Sequence, residues 1–169
     1  ALARVGAMGL PTKRDEYWKY TDPATLTAGE AADAALFTPD ERPMFDGTDR
    51  LRIVFVDGVF DPEMSDDMTG ENLEIERLST AMAKDIHWAK DLYGMLETEG
   101  HDPVERPLAA LNSAFATDGV VIRATGKAAK PVNLIYLHRD ENSDAQLHHL
   151  IKIEAGADLT LLENGPAAA

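Results

Sequence analysis

Cysteine is absent from the 169-residue chain. That excludes a disulfide framework, a thiolate nucleophile and a cysteine-built zinc site, and it fits a reducing, cytoplasmic setting. Cations are scarce: 16 Lys and Arg face 30 Asp and Glu, for a net charge of −14. Such a chain repels phosphate backbones. Its densest basic stretch, Lys13, Arg14 and Lys19, is interleaved with Asp15, Glu16 and Asp22 and reads as a solvated helix face. Nucleic-acid binding is therefore disfavoured. Long apolar runs are missing too. Ile53–Val56 and Leu134–Leu137 are among the longest, far below the roughly 18 residues that span a bilayer, so no membrane partner is expected. The first residues lack the basic and then apolar blocks of a signal peptide. Aromatics are few, at 7%, but apolar residues reach 44%, enough to bury a core. A start without Met and a Gly165-Pro166-Ala167-Ala168-Ala169 end read as a piece cut from a longer chain.

The first third reads as helix and loop. Thr12 and Asp15 have the spacing of a capping box, and the short helix that follows carries Tyr17, Trp18 and Tyr20. Residues 23–50 read as a short helix and an irregular connection. At Leu51 the period changes. Leu51–Val56 and Val59-Phe60 flank Asp57-Gly58, the pair that a two-residue hairpin turn favours because both positions want positive φ. Residues 72–78 alternate apolar and polar, the period of a half-buried strand.

From Ser79 to Glu99 the spacing predicts one helix, with Met82, Ile86, Ala89, Tyr93 and Leu96 on its buried face, widened by Trp88, Leu92 and Met95. A second helix starts near Pro107, with Leu108, Leu111 and Phe115 as its stripe, and stops at Asp118-Gly119. Beyond Gly119, short strands are predicted at Val120–Ala124, Val132–His138, Leu147–Glu154 and Leu159–Glu163 with no helix between them. Ile151 and Ile153, then a tight Glu-Ala-Gly-Ala-Asp corner, then Leu159 and Leu161, form a strand-corner-strand unit whose repetition would make a solenoid or a sandwich.

Candidate chemistry is thin. A phosphate-binding loop needs four residues between its glycines and then Lys-Ser/Thr. Gly119 and Gly126-Lys127 enclose six and are followed by Ala128. His138, His148 and His149 fall on neighbouring strands, where imidazoles can converge on a metal. Adjacent strand positions face opposite ways, however, so His148 and His149 cannot share a site without a bulge, and structural or solvent-facing roles are the plainer reading. His87 and His101 read as surface. The acidic pairs Asp66-Asp67, Glu74/Glu76 and Asp140-Glu141 read as solvated faces, and Met64, Met68, Met82 and Met95 as core filler. No catalytic, cofactor-binding or metal residue is assigned. Tyr17, Trp18 and Tyr20 are the candidate partner-contact surface, because aromatics concentrate at interface centres; a staple holding the helix to its own domain is the equal alternative.

Three ordered segments carry a family resemblance. Gly9-Leu10-Pro11-Thr12-Lys13-Arg14-Asp15-Glu16-Tyr17-Trp18-Lys19-Tyr20-Thr21 is similar to the N-terminal signature of the SufB/SufD family, on its SufD side. Pro107–Ile122 resembles the segment leading into that family's core, and His149–Glu163 its first strand-corner-strand repeat. The resemblance implies an α+β chain: an N-terminal mixed α/β domain over 1–118, followed over 119–169 by the first turns of a right-handed parallel β-helix. It implies a non-catalytic scaffold role in iron–sulfur cluster assembly, with a SufB-like subunit and a SufC-like ABC ATPase as partners. The intact complex would carry the cluster, and no cluster ligand is expected on these residues. A β-helix or β-sandwich enzyme, a metal-binding domain and a generic interaction module are the alternatives. Inward rungs are expected from Val120/Ile122, Ile151/Ile153 and Leu159/Leu161, and an open last rung would favour self-association.

Overall fold

The structure is a computed structural model that describes residues 1–13, 20–29, 36, 44–85, 87–95 and 105–165. It is α+β. Among the described residues, three short helices, α1 (Leu2–Met8), α2 (Leu78–Met82) and α3 (Pro107–Phe115), accompany eight strands. The strands are β1 (Leu51–Val56), β2 (Val59–Phe60), β3 (Thr69–Gly70), β4 (Leu73–Arg77), β5 (Val120–Ala124), β6 (Val132–Leu137), β7 (Leu150–Ile153) and β8 (Leu161–Asn164). They form two mixed four-stranded sheets, ordered β2-β1-β6-β8 and β3-β4-β5-β7.

The hairpin of β1 and β2 forms as the sequence predicts. Asp57 (φ 51°) and Gly58 (φ 76°) take the two positive-φ positions of its turn. Asp57 then accepts the backbone amides of Arg139 and Asp140 at 2.8 and 3.1 Å, which ties the turn to the loop after β6. A second tight reversal, with Asn72 at φ 59°, pairs β3 with β4. The sequence reading did not find β3, because a two-residue strand has no period to detect.

Parallel pairing dominates the second half. β1, β6 and β8 run parallel side by side, and β5 runs parallel to β7. Val121 lies beside Leu150 and Asn133 beside Leu162, the same 29-residue step in both sheets. Isolated parallel bridges join Asp118 to Leu147 and Lys127 to Asp158. Residues 118–137 are thus laid down strand by strand beneath residues 147–164. Strands on both sides of residue 118 share both sheets, since β1 pairs with β6 and β4 with β5.

One core fills the space between the sheets. Leu51, Ile53 and Phe55 from β1, Val120 and Ile122 from β5, and Val132 and Leu134 from β6 are buried there. Full burial of side chains of this size stabilises by about 1.5–3 kcal/mol each. A second cluster on the outer face of the other sheet joins Val121 and Leu150 to Leu78 and Ala81 of α2 and to Ala89.

Helix is where the sequence reading needs correction. The predicted helix over 79–99 is broken: α2 ends at Met82, and a 3₁₀ turn covers Trp88–Asp91. His87 supplies the reason. Its backbone is extended, and its Nδ1 accepts the amide of Ala89, a local cap that competes with continued helix. On the expected buried face, Ala89 is buried, Met82 is 66% exposed, and Ile86 and Leu96 lie outside the described residues. Leu92 and Met95, expected to widen that face, are exposed as well. In α3 the buried face is small, formed by Pro107, Ala110 and Ser113, whereas Phe115 of the expected stripe is exposed. Close approach by α1, a helix the sequence reading did not anticipate, accounts for small residues on this helix. Ile151 and Ile153 share the face of Ile122 and Ala124 by register, yet both are exposed, because β7 is the outer strand of its sheet among the described residues.

Candidate functional site

Of the aromatic cluster proposed as a contact surface, Tyr17 and Trp18 lie outside the described residues, as does Asp15 of the expected capping box. Tyr20 is 91% exposed. This is the only part of the cluster whose placement is described.

Three histidines, His87, His148 and His149, are held in the fold. His148 offers Nδ1 to the Asn112 side chain of α3 at 2.9 Å and stacks on Tyr93 at 4.5 Å. His149 points the other way, into the space between the sheets, as strand alternation requires. His87, expected at the surface, is packed: its Nε2 lies 2.7 Å from Glu76, which also pairs with Lys84 at 2.6 Å. Among the described residues, no group of three or more His, Cys, Asp or Glu is placed to hold a metal ion.

The most connected polar cluster lies where the two stacked stretches of chain meet. His149 Nδ1 accepts the amide of Val120 at 3.1 Å, and its Nε2 lies 3.1 Å from the Tyr136 hydroxyl. That hydroxyl donates to Glu163 at 2.7 Å. The rings of Tyr136 and His149 flank Phe55, at 6.1 and 5.3 Å between centroids. Burial is the main force on both titratable rings. It pushes the Tyr136 phenol above its ordinary range, reinforced by the Glu163 carboxylate, and it pulls His149 down to about 4. Neither group is poised to exchange a proton near neutral pH, so the cluster is suited to holding strands together and ill suited to acid–base catalysis.

A second knot sits beside it. Asp118 is buried and accepts the amides of Phe60 and Gly119 at 2.9 Å each and the Arg77 guanidinium at 2.8 Å. It ties the β1–β2 hairpin to the other sheet. On the opposite side of β6, Asn133 takes the Arg50 guanidinium at 2.9 Å and gives its amide hydrogens to the Leu162 carbonyl and to Asn164. Sequence reasoning missed all three centres. A lone Asn inside Val132–Leu137 was a usable sign of a buried polar contact, whereas Asp118 looked like a helix terminator and Tyr136 fell within the apolar run Leu134–Leu137.

An open cleft of about 410 Å³ lies at one end of the sheets, lined in part by Arg50, Asp66, Asp67, Glu71 and Lys130. Much of its charge is matched within the chain. Asp66 pairs with Arg52 at 2.7 Å, Lys130 with Asp49 at 2.8 Å, and Arg50 bonds the carbonyls of Phe45 and Thr48. Arg52 holds the Asp66 carboxyl below the usual carboxylate range. The cleft has charge of both signs and no nucleophile–base pair among these residues.

No protein-family model matches the chain. It is similar to an iron–sulfur cluster assembly SufBD family protein of Synechocystis sp. (strain ATCC 27184 / PCC 6803 / Kazusa), slr0076, with 28% identity over 170 residues, covering 95% of this chain and 36% of that protein. It is also similar to the iron–sulfur cluster assembly protein SufD of Escherichia coli (strain K12), with 26% identity over 162 residues, covering 92% of this chain and 35% of that protein. The chain spans about a third of the length of these curated relatives. No helix among the described residues is long and apolar enough to cross a membrane. Both similarities run through nearly the whole of this chain, and both of those proteins are named for iron–sulfur cluster assembly.

Proposed function

We propose that this chain is the front part of a non-catalytic scaffold subunit in a SufBCD-type iron–sulfur cluster assembly complex. The observation that carries the reading is that nearly the whole of this chain is similar to about a third of two proteins named for iron–sulfur cluster assembly. The SufD side is favoured by the Gly9–Thr21 signature. In this reading the cluster is cargo, held by the assembled complex and not by residues of this stretch. Its partners are a SufB-like subunit and a SufC-like ABC ATPase.

The stacked strands support a matching architecture. Parallel strand pairs at the same 29-residue step in both sheets, with parallel bridges at Asp118–Leu147 and Lys127–Asp158 between the same two stretches, are what a right-handed parallel β-helix requires of consecutive coils. We place the start of that core at residue 119, where the repeating unit begins, with residues 1–118 as the N-terminal portion that contributes β1 and β4 to its flanks. Tyr20, with Tyr17 and Trp18 beside it in sequence, is the proposed contact with a partner subunit. The cytoplasm, where such a complex would work, is the proposed location.

The test is co-purification. The full-length protein that contains this chain is tagged and expressed with SufB-like and SufC-like subunits from the same source. Recovery of a ternary complex supports the proposal; a full-length protein that folds and retains neither subunit overturns it. Tyr20→Ala within that complex reads out the aromatic contact: weakened retention supports it, and unchanged retention removes Tyr20 from the interface.

A further inference from the structure

The hydrogen bonds around His149 permit only one arrangement of protons. The Val120 amide can only donate, so the Nδ1 that faces it must carry a lone pair. The neutral ring then bears its hydrogen on Nε2 and gives it to the Tyr136 oxygen. Tyr136 in turn spends its own hydrogen on Glu163. The direction Val120→His149, His149→Tyr136, Tyr136→Glu163 is fixed from end to end. Its members come from β5, the residue before β7, β6 and β8, so one chain of hydrogen bonds crosses both sheets and both stacked stretches.

A second proton on His149 has one place to go, Nδ1, where it would meet the Val120 N–H head on. Two donors then face each other in the space beside Phe55, and the link between β5 and the start of β7 is lost. We propose that His149 is an acid-sensitive latch: with its ring neutral it fastens the stretch from Leu147 to Asn164 onto the stretch beneath it, and protonation releases that stretch.

The surroundings set the direction of the response. Glu163 on β8 and Asp118 before β5 favour the charged ring, and His148 opposes it. Asp118 is already matched by Arg77 on β4, Tyr136 on β6 stays a neutral phenol, and β1 presents the apolar Phe55. Burial outweighs the two carboxylates and holds the ring neutral down to about pH 4. An opened stretch would regain the ordinary imidazole affinity near 6.5, so its opening equilibrium should rise about tenfold per pH unit between those values.

The test uses the whole chain with nitrogen-15 in its histidines. Ring nitrogen shifts should show His149 as the Nε2–H tautomer at pH 7, titrating well below 6.5. Over the same window, amide exchange at Val120 and in residues 150–153, corrected for intrinsic rates, should lose protection about tenfold per unit. His149→Gln, whose amide oxygen can still accept from Val120 and cannot titrate, should flatten that loss. An Nδ1–H tautomer, a midpoint at or above 6.5, or an acid step that survives in His149→Gln overturns the proposal. If the variant fails to fold, the tautomer and midpoint of the unaltered protein decide.

Discussion

Asn133 and Asn164 lie 31 positions apart, and the amide of the first donates to the side-chain oxygen of the second at 2.8 Å. Asn133 is fully buried, yet its donors and its acceptor are all engaged, with Arg50, the Leu134 and Leu162 carbonyls and Asn164. Asn133→Ala strips partners from an arginine and a carbonyl that are both partly shielded. Leaving such groups unsatisfied costs about 1–3 kcal/mol, and the upper half of that range is expected in urea unfolding. Asn164→Ala removes one acceptor and should cost less than half as much. Equal losses from the two variants would show that the ladder is not organised around Asn133.

Tyr136→Phe separates packing from hydrogen bonding. The ring still stacks on Phe55, at 6.1 Å, so the core is unchanged in volume. The His149 Nε2–H and the Glu163 carboxylate both lose their bridging partner. A loss of about 1–2 kcal/mol is expected for an orphaned buried donor. Glu163 reaches solvent and recovers water, so Glu163→Gln should be milder.

Two glycines give opposite expectations from their surroundings. A Cβ on Gly119 would run into the His148 carbonyl, which is backbone and cannot turn aside. Gly119→Ala should therefore pry apart the paired stretches of chain and cost several kcal/mol or prevent folding. Gly156 has φ near 80° but open space around it, so Gly156→Ala should cost only the left-handed strain of about 1–2 kcal/mol. Thermal unfolding of the two variants side by side tests the difference.

The outer edges of β7 and β8 carry unpaired backbone groups among the described residues, and Ile153 beside them is 52% exposed. Such an edge is a template for pairing with another chain. The 169-residue polypeptide is expected to self-associate with rising concentration in sedimentation velocity, and Ile153→Lys to reduce it. A strictly monomeric profile at high concentration would contradict the expectation.

What the sequence made legible depended on whether a signal was local. Asp57-Gly58 announced its hairpin because the turn dictates both dihedrals, and the β-branched run Val120–Ile122 announced a strand. The long helix failed for a local reason that periodicity ignores: His87 caps the chain five residues after α2 has ended. Asn133 stood out as a lone amide in an apolar strand, but the centres at Asp118 and His149 left no local sign because each is assembled across distance. Asp118 matters through Phe60, 58 positions away, and His149 through Val120, 29 away. Tyr17 and Trp18 stay known by sequence alone.

Acid should expose that last centre in the stability of the whole chain. His149 titrates at about 4 when folded against an ordinary 6.5, so the folded state binds the proton less tightly than the unfolded state does. Its contribution is therefore fully present above pH 6.5 and drains away as pH falls toward 4. At 1.36 kcal/mol per unit, that amounts to about 3 kcal/mol. Carboxylates held low by ion pairs, such as Asp66 beside Arg52, lose their share only as pH falls through the carboxylate range near 4 and below. The two windows separate. Urea unfolding from pH 7 to pH 4.5 should fall steadily in the natural sequence and hold nearly level in His149→Gln. A slope shared by both proteins would assign the acid sensitivity to carboxylates instead.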